Sequence, residues 1–419
     1  MRVVIVNRYV YPDHAATAQL ASDLATALGA RGIEVLMLGS QQRYDDPQAR
    51  LPKREAGPGF GVRRVATTRF GRAGLLGRAL DYASFYFSAG AALLGELKAG
   101  DVVLAKTDPP LLGVVVALAA RVRSARQINW LQDLFPDVAV ALGTPRLPAA
   151  LRVLAAWLAD RALAAAWINV AIGERMAERL LAAGVALERV SVIPNWPHQS
   201  PGEPLAPAAS ALRATLGLGR QFVVGYSGNL GRAHDSATLL DAAQRLQHHP
   251  HIQWLFIGGG HGLVQLQAEA QRLGLRHLRF APYQPLAALA DAMAASDVHL
   301  VSLKPELEGL IVPSKFFGVL AAARPTVFIG DGDGEIGRLV RSHDCGVVVA
   351  PGDGAALAAV LLALAQAPQR VAAMGAAGQR LLRQRFGRER AHADWAALIE
   401  RVAAAPSRQG LAAKRGEST

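Results

Sequence analysis

Short apolar runs alternate along the chain with longer segments in which apolar residues recur every three or four positions. The runs VVIVN at 3–7 and DVVLAK at 101–106 have the length and composition of buried strands. Segments 15–30 and 174–183 have the spacing of amphipathic helices, and Gly184 ends the second of them. Because strands and helices alternate, the pattern predicts an α/β fold with a parallel sheet covered by helices on both faces.

One stretch interrupts this alternation. Residues 190–212 have the sequence VSVIPNWPHQSPGEPLAPAASAL, whose Pro, Gly and Ser content is typical of a linker. Beyond it the alternation restarts with QFVVGYSG and IQWLFIGGG. At 419 residues the chain is also too long for one ordinary core. The pattern therefore predicts two doubly wound, Rossmann-like domains that face each other across an interdomain cleft.

The same changes of pattern give the predicted domain boundaries. Residues 1–195 form the first domain and residues 196–385 the second. Residues 386–405 have a helical pattern and predict a helix that crosses back to the first domain. Residues 406–419 are basic and predict a disordered tail.

The net charge of +12 draws attention to one cluster of basic residues. Its members, with no acid between them, are Arg63, Arg64, Arg69, Arg72 and Arg78. An apolar, aromatic segment follows, so the 63–95 region predicts either a helix lying on a membrane or a helix packed against its own domain. No nucleic-acid recognition motif is present, and no nucleic acid is expected as a partner.

Two further features bear on localisation. The longest uncharged runs are well short of the roughly 20 residues that a membrane span needs. The single cysteine, Cys345, fits a reducing compartment. We therefore expect a cytoplasmic protein that is peripheral at the inner face of the cytoplasmic membrane.

Ligands of doubly wound folds bind outside the carboxyl ends of the strands, so the loops there hold the candidate site residues. Polar and small residues follow the first strand, and LAKTDPP and NWLQDLFPD follow later ones. A lone Asp in a loop usually caps a helix or is solvated, but apolar residues flank Asp133 closely, so a general base or a hydroxyl acceptor is an equal alternative. The candidates in the loops of the first domain are Tyr11, His14, Thr17, Lys106 and Asp108.

The second domain has two glycine-rich strand ends, YSGNLGRAHD and FIGGGHG. Glycines allow a ligand to approach the backbone closely, and an arginine there could clamp a diphosphate. The chain has no His-Glu-x-x-His motif, no cysteine cluster and no P-loop, so no metal site is expected. The candidates for ligand binding here are Gly228, Asn229, Arg232, His234, Gly258 and Gly260.

A third candidate region is KPELEGLIVPSKFFGVLAAARP at 304–325. Pro313 suits the first turn of a helix, and Ser314 and Lys315 follow it. The free N–H groups and the positive end of that helix would then face an anion. Glu306 or Glu308 could bind the hydroxyls of a sugar. The alternative is a solvated loop with a helix cap.

Taken together, these segments resemble the GT-B glycosyltransferases of family GT4. The resemblance rests on YPDHAATAQLASDLATALGARGIEV, NWLQDLFPDVAVALG, VSVIPNW, VVGYSGNLGRAHDSATLLDAA, IQWLFIGGGHG and DVHLVSLKPELEGLIVPSKFFGVLAAARP, in that order. Within the family, the chain is similar to bacterial transferases of the fucosamine and colanic-acid type, which build surface polysaccharide on a lipid carrier.

The resemblance implies a retaining transfer from a nucleotide sugar without a metal ion or other cofactor. The second domain would hold the donor and the first domain the acceptor. Arg232 matches the arginine of the family's diphosphate-binding pair, but the pair's lysine is absent, and Lys315 is expected to supply that charge. The residues assigned to catalysis on this basis are Asp133, Arg232, Lys315 and Glu306.

The chain departs from the family pattern at two places. Gly318 stands where a second glutamate usually accepts hydrogen bonds from the ribose, and Ala15 and Ala16 replace the usual glycine pair. The favoured hypothesis is transfer of a UDP-linked sugar, with an N-acetylated sugar as one candidate, to a polyprenyl-diphosphate-linked saccharide. The alternatives are a nucleotide-sugar 2-epimerase of the same fold and an inactive scaffold of a polysaccharide assembly complex.

Overall fold

The computed structural model describes residues 1–71, 74–143, 148–197 and 203–406. The described strands form two sheets. The first has the order β3-β4-β2-β1-β5-β6-β7-β8, with β3 antiparallel to β4 and the other pairs parallel. Its strands are β1 (Arg2–Val6), β2 (Glu34–Ser40), β3 (Arg54–Gly57), β4 (Phe60–Val65), β5 (Val102–Lys106), β6 (Arg126–Trp130), β7 (Ile168–Ala171) and β8 (Val190–Val192).

The second sheet is parallel throughout, with the order β11-β10-β9-β12-β13-β14. Its strands are β9 (Phe222–Asn229), β10 (Ile252–Gly259), β11 (Leu278–Ala281), β12 (Val298–Ser302), β13 (Thr326–Ile329) and β14 (Gly346–Val349). In both sheets the strand order reverses beside the first strand, which is where doubly wound folds open a crevice for ligands.

Helices cover both faces of each sheet. They are α1 (Ala16–Ala30), α2 (Leu75–Glu96), α3 (Leu112–Arg123), α4 (Asp137–Ala141), α5 (Ala149–Ala165), α6 (Glu174–Ala182), α7 (Ala211–Thr215), α8 (Ala237–Arg245), α9 (His261–Arg272), α10 (Leu289–Ala294), α11 (Lys315–Ala321), α12 (Glu335–Ser342), α13 (Gly354–Ala365), α14 (Pro368–Arg385) and α15 (Arg388–Ala404). In the first domain, α1, α6 and α15 pack on one face and α2 and α3 on the other. The predicted α/β fold with two Rossmann-like domains is confirmed.

The hairpin β3–β4 was not predicted, and it changes the interpretation of the arginine cluster. Arg64 is buried, donates to the carbonyl of Pro52 at 2.8 Å and pairs with Glu55 at 2.6 Å. Arg63 pairs with Glu96 at 2.5 Å. Both arginines are therefore paired with acids, Arg64 with Glu55 of the hairpin and Arg63 with Glu96 at the end of α2. Arg72 and residues 407–419 of the predicted tail lie outside the described residues.

Helix α15 packs against the first sheet, where the Trp395 ring lies 4.6 Å from that of Trp130. One buried carboxylate on α1, Asp23, binds this helix and also the end of the first domain's chain. It accepts hydrogen bonds from Trp196 Nε1 at 2.7 Å, from Arg388 Nε at 2.9 Å and from His392 Nε2 at 2.9 Å. Both crossings of the chain between the domains are thus anchored on Asp23.

No single described helix is long and apolar enough to cross a bilayer. Two helical segments, Gly354–Ala365 and Pro368–Ala404, satisfy the length and composition criteria only together, and they bend by 102° where they meet. Both segments contribute to cores of the structure, through Leu357 and Leu361 in the first and Trp395 in the second.

Candidate functional site

A cavity of about 370 Å³ lies between the two domains, at the carboxyl ends of the strands of the second sheet. Ala16 and Gln19 of α1 line it from the first domain. The ends of β9 and β10, the middle of β12, and helices α10 and α11 line it from the second. Its walls are mainly apolar, and Lys315 is the cation among its lining residues.

Glycines at the strand ends make room for Lys315. Gly228 has a φ of +115°, and a Cβ atom there would lie 3.0 Å from Lys315 Cε. Gly258 packs against Gly228, since a Cβ on Gly258 would lie 2.3 Å from the Gly228 carbonyl oxygen. Gly260 packs in the same way against Asn229. Of these four predicted donor-binding residues, Gly228 lines the cavity and the other three shape the strand ends around it.

Lys315 is held by a short chain of hydrogen bonds. His234 Nδ1 lies 2.6 Å from the Ser302 carbonyl oxygen, and His234 Nε2 lies 3.1 Å from Lys315 Nζ. Because a carbonyl oxygen only accepts, Nδ1 carries the proton and Nε2 accepts from the ammonium group. His234 thus uses one ammonium proton and orients the side chain, which leaves two protons for a ligand.

Burial sets the protonation states of this pair. Desolvation lowers the pKa of Lys315 to about 8, so the amine is mostly charged at neutral pH. Desolvation and the neighbouring Lys315 charge lower the pKa of His234 to about 4, which keeps the imidazole neutral. Lys315 Nζ also lies 5.2 Å from the centre of the Tyr226 ring. The arrangement presents one oriented positive charge to the cavity.

The remaining residues of the 304–325 segment differ from expectation. Helix α11 begins at Lys315, so Pro313 lies before the helix and Ser314 is its N-cap, without a side-chain capping bond. The helix is only seven residues long. The role of this helix end in binding a phosphate stays a prediction. The Lys315 side chain is the group that reaches the cavity.

Neither predicted glutamate lines the cavity. Glu306 is exposed, whereas Glu308 Oε1 accepts a hydrogen bond of 2.6 Å from the backbone N–H of Glu335 and so caps α12. Burial raises the pKa of Glu308. Assigning Glu308 to the donor sugar is therefore corrected, because the loop around it docks on the first domain, where Leu134 N donates to Leu310 O at 3.0 Å.

Gly318 lies on the cavity wall, and a Cβ added there would meet no atom within 4 Å. The position of the expected second glutamate thus faces open space. Arg232 is exposed in the loop that follows β9 and forms no ion pair with the residues that the structure describes. Arg232 is not among the residues that line the cavity.

The first-domain candidates are only partly brought together. Thr17 Oγ1 lies 3.4 Å from Asn7 Nδ2, His14 is exposed, and the Tyr11 ring packs on Phe60. The assignment of Lys106 to the acceptor side is corrected. The residue is 1% exposed, and its Nζ lies 3.3 Å from the centre of the Trp130 ring. Desolvation holds its pKa well below the ordinary value, so this amine is part of the core rather than of an open acceptor site.

Asp108 and Asp133 remain near the cleft. The Asp108 carbonyl accepts from the Arg8 N–H at 2.8 Å, just beyond the end of β1. Asp133 forms an isolated bridge with Ile311 of the second domain. Desolvation raises its pKa, although a hydrogen bond from Thr107 lowers it in part. Asp133 therefore lies where the two domains meet, with Oδ1 buried and without a partner in the described structure.

Sequence reasoning missed several lining residues. Tyr283 and Gln284 follow β11, so the strand-end rule could have found them. His299 lies within β12 and carries no local signal. Within the described residues, no three His, Cys, Asp or Glu side chains come together as a metal site would require.

Comparisons with known proteins agree with this architecture. A glycosyl transferase 4-like domain model matches residues 16–196, and a model of glycosyl transferases group 1 matches residues 221–367. The chain is 27% identical over 352 residues to WcaI of Escherichia coli strain K12, which is described as a "putative colanic acid biosynthesis glycosyl transferase". That match covers 81% of this chain and 86% of WcaI.

Two solved structures share the fold over nearly the whole chain. Sucrose-phosphate synthase of Thermosynechococcus elongatus superposes with a TM-score of 0.77 at 19% identity, covering 97% of this chain and 100% of the other. HepE of Anabaena, solved with UDP and glucose, has a TM-score of 0.68 at 18% identity, with 96% and 99% covered. The two matched domains, the two facing parallel sheets and the cleft between them show that this chain is a GT-B glycosyltransferase of family GT4 that acts in polysaccharide biosynthesis.

Proposed function

We propose that this protein transfers a sugar from a UDP-linked donor to a lipid-linked saccharide, with retention of the anomeric configuration. The observation that carries the proposal is the cavity between the domains, in which the Lys315 ammonium group is oriented by His234. HepE, which has the same fold, was solved with UDP and glucose, and this supports a uridine nucleotide as donor.

The chemistry follows from the charge that develops as the donor breaks. The bond between the sugar's C1 and the diphosphate oxygen breaks, and a bond forms from C1 to the acceptor oxygen on the same face. The acceptor's hydroxyl proton passes to the leaving diphosphate. A preorganised cation in a largely dry site favours this transition state, because negative charge grows on the leaving group. Lys315 lines the cavity and Arg232 is exposed in the loop that follows β9, and we assign the binding of the diphosphate to these two cations.

We propose that these two cations take the part that a divalent metal has in other sugar transferases, so that the reaction is metal-independent. On the acceptor side, Asp133 can accept a hydrogen bond from the incoming hydroxyl through its unpartnered Oδ1. It lies at the junction of the domains, where an acceptor bound to the first domain would meet the donor.

One surface of the first domain is the reason for proposing that the acceptor is linked to a lipid. Helix α3 packs between α2 and α5, and all three expose large apolar side chains. They include Leu76, Leu80, Phe87, Leu118, Val122, Val153 and Trp157. Exposed basic residues on α3 and α5 accompany them, namely Arg121, Arg123, Arg152 and Arg161. Apolar side chains with basic neighbours are typical of a surface that lies on an anionic membrane.

The proposed membrane contact keeps the α2 part of the 63–95 region and adds α3 and α5 to it. Helix α2 buries Phe85 and Leu93 in the first-domain core and exposes Leu76 and Phe87. One face is thus packed against its own domain, and the opposite face is free to lie on a membrane. We propose that the protein lies peripherally at the cytoplasmic face of the membrane. A lipid-linked saccharide would then reach the cleft from the same side as these helices.

The donor is tested by incubating the purified protein with UDP-, GDP- and dTDP-sugars and a polyprenyl-diphosphate-linked saccharide. We expect sugar to be transferred from a UDP-sugar only when the acceptor is present, and in the presence of a metal chelator. An epimerised donor formed without acceptor would instead favour a 2-epimerase. Binding and turnover of none of these donors would overturn the proposal.

Membrane contact is tested by sedimentation with vesicles of phosphatidylcholine and phosphatidylglycerol. Replacing Leu76 and Phe87 together by serine is expected to weaken binding about 10- to 100-fold, because each large side chain gains free energy on burial. Val264→Ser removes another exposed apolar side chain, from the second domain, and serves as the control. Equal loss in both variants, or binding without anionic lipid, would contradict this surface.

A further inference from the structure

The loop that precedes Lys315 lies on the first domain, although Lys315 lines the cavity from the second domain. This loop, residues 308–312, lies between β12 and α11. The Leu310 carbonyl oxygen accepts a hydrogen bond of 3.0 Å from the backbone N–H of Leu134. Val312 packs against a core of the first domain, and α11 begins at Lys315 shortly after it. The first domain thus holds the segment from which Lys315 enters the cavity.

An arginine of α6 in the first domain makes the contact at the start of loop 308–312. Arg179 Nε donates to the Glu308 carbonyl oxygen at 2.7 Å. Gly309 follows with a φ of +74°, and a Cβ there would lie 2.8 Å from Arg179 Nε and 2.9 Å from the Arg175 carbonyl oxygen. The backbone of the loop therefore lies directly on α6, in a conformation and at a distance that suit glycine.

The same loop is joined to α6 a second time, through α12. The backbone N–H of Arg175, in the first turn of α6, donates to Glu335 Oε2 at 2.9 Å. The backbone N–H of Glu335 in turn donates to Glu308 Oε1 at 2.6 Å. Gly173 leaves room for this arrangement, since a Cβ there would lie 2.8 Å from Glu335 Cδ. Two carboxylates thus connect the first turn of α6 to the loop before Lys315.

The charge state of Lys315 depends on how deeply the side chain is buried. Desolvation lowers the pKa of its amine to about 8. The titratable side chains beside it are His234, with Nε2 3.1 Å from Nζ, and Tyr226, whose ring centre lies 5.2 Å from Nζ. Both are neutral in this pH range, because burial lowers the pKa of His234 to about 4 and raises that of Tyr226. A loop released from the first domain would let water reach the amine.

We propose that Arg179 is a positioning residue, which holds loop 308–312 on the first domain and so sets the place of Lys315 in the cavity. The inference rests on the proposed function, since it takes Lys315 as a cation that binds the donor's diphosphate. It makes the donor site of one domain depend on a hydrogen bond from the other. A misplacement of about 1 Å can cost about 100-fold in rate, so this distant contact matters for turnover.

Two neutral replacements of Arg179 separate its hydrogen bond from its charge. Arg179 is exposed, so neither replacement disturbs a core. The amide nitrogen of a glutamine lies as many bonds from Cα as the Nε of an arginine, so Arg179→Gln retains an N–H for the Glu308 carbonyl. Arg179→Met has a similar length without a donor. We expect kcat with a UDP-sugar and acceptor to fall about 10-fold in Arg179→Met and less than about threefold in Arg179→Gln.

Arg272→Met is the matched control for these variants. Arg272 Nε also donates to an oxygen, Glu269 Oε2 at 2.9 Å, but within an exposed pair on α9. The control therefore removes the same charge and the same donor from the second domain without touching loop 308–312, and its kcat should be unchanged.

The pH profile of Lys315 acetylation gives a readout that needs no turnover. The rate with acetic anhydride, followed by peptide mass spectrometry, depends on the neutral amine and should have its midpoint at about 8 in the unsubstituted protein. Arg179→Met should move this midpoint upward, because a solvated ammonium group returns toward its ordinary pKa. Gly309→Ala pushes the loop off α6 from the other side of the contact and should do the same. Arg179→Gln and Arg272→Met should keep the midpoint.

The two readouts distinguish the positioning role from the proposed function. An unmoved midpoint in both Arg179→Met and Gly309→Ala, with folded proteins by circular dichroism, would overturn the positioning role and leave the proposed function standing. Equal kcat in Arg179→Met and Arg179→Gln would also overturn it. A midpoint that moves as expected, in a protein that turns over no donor, would support the positioning role and count against the proposed function.

Discussion

Replacing Lys315 by methionine is expected to lower kcat about 10²- to 10³-fold while the protein remains folded. The Lys315 side chain is the cation on the cavity wall, and its charge matters most when the diphosphate leaves. Methionine has a similar length and suits the buried site, so the fold should lose little. Initial rates at saturating donor and acceptor measure the effect.

The pH dependence of kcat/KM gives an independent readout of the same side chain. Burial lowers the pKa of Lys315 to about 8, so the free enzyme loses this charge as the pH rises through that value. Donor capture should therefore fall on the alkaline side, with a midpoint near pH 8. Lys315→Arg keeps a charge above this range and should move the alkaline limit upward, at some cost in rate.

Lys98→Met is the control, because it removes one positive charge from an exposed position in the first domain. If Lys98→Met lost as much activity as Lys315→Met, the loss of kcat would be due to net charge and not to the position of Lys315. Unchanged kcat in Lys315→Met would remove Lys315 from the mechanism, and the diphosphate would then have to be held by Arg232 and backbone groups.

Replacing Asp23 by alanine is expected to destabilise the protein by about 3–5 kcal/mol. The buried carboxylate joins Trp196, Arg388 and His392, which belong to the two crossings between the domains. Its removal leaves a partly buried guanidinium and an indole N–H without their acceptor. Urea unfolding monitored by tryptophan fluorescence suits this site, since Trp130, Trp196 and Trp395 share one core.

The free energy of unfolding should also depend on pH through the Asp23 carboxylate. Burial alone would raise the pKa of Asp23, but hydrogen bonds from His392, Arg388 and Trp196 lower it from 3.8 to about 2. A lowered carboxyl pKa contributes stability that is fully present above 3.8 and is lost as the pH falls through about 2. Asp23→Ala should therefore show less acid sensitivity between these values.

Asp241→Ala provides the comparison for Asp23. It breaks an exposed helix pair with Arg245 and should change stability by no more than about 0.5 kcal/mol. If Asp23→Ala lowered the free energy of unfolding as little as Asp241→Ala, the anchoring role proposed for this carboxylate would be contradicted. Adding Arg388→Ala to Asp23→Ala should cost less than the sum of the two, because the second change removes a guanidinium already left unpaired.

Much of the fold was predictable because it depends on local patterns. Buried strands such as β1 and β9 are continuous apolar runs, and helices α1 and α6 have regular apolar spacing. The hairpin β3–β4 and the three-residue strand β8 were missed. Polar edge strands and very short strands lack a distinct periodicity, and they form because a neighbouring strand offers hydrogen bonds.

The candidate site was predictable only in part. Lys315 and Gly228 were found because strand ends and the loops that follow them are marked in the sequence. Glu308, predicted in the same way, caps a helix instead, and Lys106 is buried against Trp130. The direction of a side chain at a strand end depends on what packs beside it, which no local pattern contains.

By itself, the sequence determined the two-domain α/β architecture, the family, and the loops that face the cleft, since these follow from apolar periodicity and from motif order. The tertiary structure alone decided that Lys315 is oriented by His234 and that Asp23 holds both crossings between the domains. Such contacts join residues far apart in the chain, so their burial, charge and hydrogen bonding arise only when the chain is folded.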